Sequence, residues 1–113
     1  TYARCCSLIE KAGIDTPSVP ENYEANEAEL QLLKTLSAFS ERVEAAIKSS
    51  EPMEITRFIL DVCSDFNRFY HDCQIISVED KSTKDFRIAL TYATRTALGN
   101  AFGLICLKKT QRI

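Results

Sequence analysis

The sequence predicts an all-α fold, a five-helix bundle, and three observations carry that prediction. Apolar residues recur at three- and four-residue steps along most of the chain. No stretch of useful length alternates with period two, and three Gly with three Pro leave few interruptions. The 113 residues give room for a single domain, residues 1–113, with one core.

The elements follow in order. Tyr2, Cys5, Cys6 and Ile9 share a face at helical spacing, so a helix is expected over residues 2–12, with Gly13 as its stop. Residues 14–26 contain Thr16, Pro17, Ser18, Pro20 and Asn22, and read as a long loop. Asn26 is placed to cap the next helix, with Glu27 and Glu29 in its first turn at the positive end of the dipole. Its buried face is expected to be Leu32, Leu33, Leu36 and Phe39; after a break near residues 37–40, Val43, Ala46 and Ile47 continue the period. Pro52 suits only the first turn of the helix that follows.

That helix, over residues 53–71, carries the clearest signal. Ile55, Phe58, Ile59, Val62, Cys63, Phe66, Phe69 and Tyr70 form a stripe wide enough to meet two neighbours. Residues 74–83 form a connection, in which Ser82 and Asp85 have the spacing of a capping box. Phe86, Leu90, Ala93, Ala97, Ala101 and Leu104 then mark a last long helix, whose small residues allow close approach of another.

Composition narrows the class further. Apolar residues at 45% and charged residues at 27% are ordinary for a globular domain. No apolar run nears the ~20 residues that cross a bilayer, so no membrane association is expected. The net charge of −2 lacks the basic excess usual in nucleic-acid binders. Charge is unevenly spread, however: Glu21, Glu24, Glu27 and Glu29 crowd one segment, while Lys108, Lys109 and Arg112 gather at the end. The five cysteines, at 5, 6, 63, 73 and 106, show no C-x-x-C spacing, and read as free thiols in a reducing, cytoplasmic setting. The chain opens mid-pattern without Met, which suits a piece of a longer protein.

No catalytic constellation is legible. His71 is the one histidine; no second His stands at a metal-ligand spacing, and no glycine-rich loop waits for a phosphate. Cys73 and His71, two residues apart on a helix, point about 200° away from each other. Asp61 and Asp65 alternate with Arg57 and Arg68 as a solvated ladder of charges. No catalytic residue, metal ligand or cofactor is therefore assigned. A binding reading has better material, because unpaired bases are held by aromatic rings, Arg planes and amides. Tyr2 with Arg4, and Asn67 with Tyr70 and His71, offer that set at two helix ends. Pattern alone favours Tyr2 and Tyr70 as core residues with surface hydroxyls, and Asn67 as a solvated helix residue.

Three motifs resemble a known family. Residues 2–13, Tyr-Ala-Arg-Cys-Cys-Ser-Leu-Ile-Glu-Lys-Ala-Gly, look like the opening helix of the DALR anticodon-binding domain of arginyl-tRNA synthetases. Residues 66–73, Phe-Asn-Arg-Phe-Tyr-His-Asp-Cys, are similar to the family's Phe-Asn-x-Phe-Tyr-x-x-Cys segment, and residues 87–90, Arg-Ile-Ala-Leu, to its Arg-Leu-Ala-Leu. The likeness covers essentially the whole chain, and the ending Arg112-Ile113 stands where Glu-Arg-Met is usual.

The resemblance implies a helical bundle that receives the anticodon stem and loop of tRNA for arginine. ATP and arginine would bind an upstream catalytic domain of the same class I ligase, leaving this fragment without cofactor and without DNA as a partner. Carried over position by position, Tyr70 approaches the middle anticodon base; Tyr2 and Arg4 lie in a tRNA-contacting first helix; Asn67 reads a base edge or steadies Tyr70. His71, Arg112 and Ile113 complete the expected tRNA surface, while Arg87 serves either tRNA or domain architecture. Glu10 in place of the usual Arg, Cys106 in place of Gly, and Ile113 in place of Met depart from the pattern. Rival readings are a helical module that docks a protein, or the matching domain of another class I synthetase such as that for cysteine.

Overall fold

The computed structural model describes residues 1–13, 19–20, 23–49 and 53–111, with the side chains of 106–111 left out. All regular structure among them is helical. The helices are α1 (Tyr2–Ala12), α2 (Glu27–Ser37), α3 (Phe39–Ser49), α4 (Met53–Asp72) and α5 (Lys81–Gln111). Only Ala38 separates α2 from α3, so the pair is a single rod with a bend, and the expected break falls within its predicted window.

Local chemistry explains the ends. Gly13 closes α1 in the left-handed conformation, φ 66°, and its N–H donates to the Ile9 and Glu10 carbonyls, each at 3.2 Å. A side chain there would be strained, which is why Gly stops the helix. Asn26 and Glu29 form a full capping box: Asn26 Oδ1 accepts from the Glu29 N–H, and Glu29 Oε1 from the Asn26 N–H, both at 2.9 Å. The cap of α5 corrects an expectation. Asp80, and not Ser82, opens that helix: its Oδ2 accepts from the Thr83 N–H at 2.9 Å and from the Thr83 hydroxyl at 2.7 Å. A carboxylate satisfies the free donors of a first turn and favours its positive end, so the helix starts two residues sooner. The hydrogen bond from the Thr83 hydroxyl, then that from its backbone, holds the Asp80 carboxyl below the usual carboxylate range.

α4 is the axis of the bundle and packs on α2, α3 and α5, one neighbour more than its stripe suggested. α1 lies on α5. The molecule is elongated, 50 × 25 × 23 Å, and two core clusters lie along α4. Phe66, Phe69, Leu32, Cys5, Ile75 and Ile88 fill one; Phe58, Val62, Ala46, Leu98 and Ala101 fill the other. Small residues on α5 permit the close packing foreseen for it: Ala97 and Ala101 are buried there.

Some expected core positions lie outside the core. Leu33, Ile47 and Ala93 are exposed, Ile47 to 68%. Each falls at the edge of its helix's apolar stripe, which no helix among the described residues covers. The charged ladder on α4 is also built differently. Asp61 pairs with Arg42 of α3 at 3.2 Å, and Asp65 accepts from the Thr35 hydroxyl of α2, so these carboxylates link helices. Arg68 pairs with Glu27 of α2 and Asp72. Pro17, Pro52, Arg112 and Ile113 lie outside the described residues, as does the side chain of Cys106.

Candidate functional site

The site is built where α1 leans towards the second half of α4. α4 presents Asn67, Tyr70 and His71 on its exposed side because Phe66 and Phe69, interleaved with them, are fully buried. The 3.6-residue turn thus anchors the helix by its phenylalanines and turns the polar and tyrosyl groups outward. From α1, the guanidinium of Arg4 sits over the Tyr70 ring, 4.3 Å from its centroid, and its Nη1 donates to Asn67 Oδ1 at 3.5 Å. The His71 ring meets the edge of Tyr70 at 5.8 Å. Arg4, Asn67, Tyr70 and His71 form one open patch, with Tyr70 36% exposed.

Tyr2 is not on that patch. It lies two residues before Arg4, which puts it about 200° round the helix. There it faces α5, edge-on to Phe102 with centroids 6.1 Å apart, and its ring passes over Gly99. It remains 42% exposed, but on another side of α1.

Beside the patch opens a cleft of about 660 Å³. It is lined by Leu8 and Lys11 of α1, by Tyr70, His71 and Asp72 at the end of α4, and by a wall of residues 73–77. Sequence reasoning missed this wall and Lys11, because a loop of 73–77 has no periodicity and Lys11 is one surface lysine among many. Among the described residues Arg4 and Lys11 make no ion pair with a carboxylate.

Arg87 turns inward. Its Nε donates to Glu29 Oε2 at 2.9 Å and its Nη1 to the Gln74 carbonyl at 2.7 Å. The Glu29 side chain is 1% exposed and that of Arg87 14%. Glu29 also accepts from the Tyr23 hydroxyl at 3.0 and 2.8 Å, and Tyr23 stacks on Phe86 at 4.3 Å. Burial lowers the Arg87 guanidinium's proton affinity, yet the Glu29 hydrogen bond and charge more than offset it, leaving its pKa raised. Burial, then the Glu29 bond, pushes the Tyr23 phenol up. Of the two roles open to Arg87, these contacts serve architecture. The clue to Glu29 was present in the sequence as Asn26-x-x-Glu29; nothing there pairs it with a residue 58 positions away.

No group of His, Cys, Asp or Glu among the described residues has the geometry to hold a metal ion. Cys5, Cys6, Cys63 and Cys73 are free thiols. Burial pushes the Cys5 thiol up to about 12, the setting of an inert core residue. No helix among the described residues is long and apolar enough to cross a membrane.

Aromatic faces, a stacked guanidinium, an amide and a lysine-rimmed cleft suit unpaired nucleotides. The family model for the DALR anticodon binding domain matches residues 1–113. An arginine–tRNA ligase of Clostridioides difficile (strain 630) is 34% identical over 114 residues, covering 100% of this chain and 20% of the relative. That of Porphyromonas gingivalis (strain ATCC 33277) is 33% identical over 117 residues, with 100% and 20% covered. That of Methanococcus maripaludis (strain C5) is 32% identical over 104 residues, with 92% and 18% covered. The chain therefore spans about 20% of the length of the first two relatives. No solved structure matches.

Proposed function

The chain belongs to the DALR anticodon binding domain family, and from that premise we propose that it recognises the anticodon loop of tRNA for arginine as the non-catalytic part of an arginine–tRNA ligase. ATP and arginine are then the business of a separate catalytic domain in the cytoplasm, to which this domain delivers a correctly oriented tRNA. The observation that carries the reading is the Arg4–Tyr70 pair, held 4.3 Å apart beside Asn67 on an open face.

Each group has a task in that reading. Tyr70 offers an aromatic surface to a base, worth roughly 1–3 kcal/mol per stacked base. Arg4 covers the other side of the ring, fixing its angle while keeping N–H groups free for phosphate. Asn67 reads a base edge or steadies Arg4 through the 3.5 Å bond. His71 and Lys11 flank the cleft, where a phosphate can find a cation. Tyr2, on the α5 side, contacts tRNA only if the RNA wraps around α1. Arg112 and Ile113 lie outside the described residues, and their part in tRNA binding rests on the resemblance alone.

Titration of the chain with arginine tRNA, against the same tRNA altered at the middle anticodon base, tests it. Cognate binding at least about ten-fold tighter is expected, with a steep loss of affinity between about 50 and 200 mM salt. Equal, weak and salt-insensitive binding of both would instead point to a protein-docking module. Preference for cysteine tRNA would assign the domain to a sister synthetase.

A further inference from the structure

We infer that Arg87 is a positioning residue for the cleft: it fixes the 73–77 wall through its forked guanidinium without itself touching RNA. The inference rests on the cleft being the RNA site proposed above.

Residues 73–80 contain no helix or strand, so no repeated backbone ladder holds them. Three anchors that involve a side chain do so instead. Ile75 is buried in the core with Phe66 and Phe69. Cys73 Sγ accepts from Asn26 Nδ2 at 3.4 Å. The Gln74 carbonyl accepts from Arg87 Nη1 at 2.7 Å. The last is a charge-assisted bond from a side chain to the wall's backbone, beyond the helical bond by which the Cys73 N–H donates to the Phe69 carbonyl at 2.9 Å. Arg87 is itself immobilised, because Glu29 takes its Nε while also bonding Tyr23 and the Asn26 N–H. No buried side-chain polar atom among the described residues is left without a partner. One carboxylate thereby ties the α2 cap, residue 23 and α5 to the backbone that shapes the cleft opposite Lys11.

Arginine's planarity makes this testable. Two N–H groups on one rigid fork reach Glu29 and Gln74 together; a lysine ammonium is a single point charge on a different stem. Arg87→Lys keeps a cation opposite Glu29 and gives up the hold on Gln74. In this chain, titrated with arginine tRNA, the variant is expected to lose roughly five- to ten-fold in affinity. Its melting temperature should stay close to the wild type's, and amide exchange at residues 74–77 should accelerate. A folded Arg87→Lys that binds as tightly as the wild type overturns the inference and leaves the RNA reading standing. A wild-type chain that fails to bind tRNA takes down both. If the variant does not fold, the Arg87 Nε–H resonance of the wild-type chain decides. A slowly exchanging signal that tRNA leaves in place supports positioning; a large shift on adding tRNA shows direct contact and overturns it.

Discussion

Around Phe58, Val62, Leu98 and Ala101, the bundle is held by an apolar cluster. Around Phe66, Phe69 and Leu32, the interior is shared with the Glu29–Arg87 pair and its partners. Both regions lie on the same two long helices. Apolar packing is non-directional and tolerates small shifts of one helix on another. A buried carboxylate with several donors does not, since each bond has a length and an angle to satisfy. The region that carries the patch and cleft is the one whose directional bonds run through a buried carboxylate, whereas the Arg42–Asp61 pair beside Phe58 is partly exposed. The more directional packing thus lies beside the proposed RNA site, and plain burial dominates at the other end.

Breaking the apolar end should have the largest effect on stability and little on binding. Phe58→Ala is expected to cost about 3–5 kcal/mol in urea unfolding. The folded fraction should retain arginine-tRNA affinity, measured where the variant is still native. A parallel loss of affinity would show that the two ends are one mechanical unit.

The reverse experiment works on the other end. Tyr70→Ala is expected to weaken cognate tRNA binding by about ten-fold or more. The ring is partly exposed and its buried neighbours Phe66 and Phe69 stay in place, so the unfolding midpoint should move little. An unchanged affinity would remove Tyr70 from the site.

A smaller effect sharpens the comparison. Asn26→Ala removes the α2 cap, for about 0.5–2 kcal/mol of stability, and also the bond to Cys73. Its thermal shift should be modest, with a further loss of tRNA affinity that a surface cap mutation elsewhere would not produce. Equal binding by this variant would mean the remaining anchors hold the wall alone.

The smallest effect at neutral pH is that of Cys5, which appears only in alkali. Its thiol is pushed from an ordinary 9.0 to about 12 by burial. The proton is held more tightly in the folded state, so its contribution is complete below pH 9 and is lost as pH rises towards 12. Denaturation followed across that window should show falling stability, and Cys5→Ala should flatten the slope. An equal slope in the variant would assign it to other groups, Tyr23 among them.

Helices were legible where the sequence supplied a local reason for each. Gly13 and Asn26 act within their own turn, and the stripe from Ile55 to Tyr70 needs only the helical period to be seen. The α5 cap was misplaced because Ser82 and Asp80 are both local candidates, and only the backbone chooses between them. Leu33, Ile47 and Ala93 were misjudged for a different reason. A stripe edge is buried only if a neighbour reaches it, and the neighbour is set by packing.

The site divides the same way. Asn67, Tyr70 and His71 are close in sequence, and one helix suffices to gather them. The motifs at residues 2–13, 66–73 and 87–90 also pointed to the family before any geometry was known. What the sequence determined by itself was the set of helices, the family and one half of the patch, because these depend on short-range periodicity and residue identity. Only the tertiary structure decided that Arg4 covers Tyr70 while Tyr2 turns to α5, and that Glu29 locks Arg87 onto Gln74. Those pairings join residues on different segments, from 13 positions apart upward, and the angle at which one helix lies on another, which no single segment encodes, selects them.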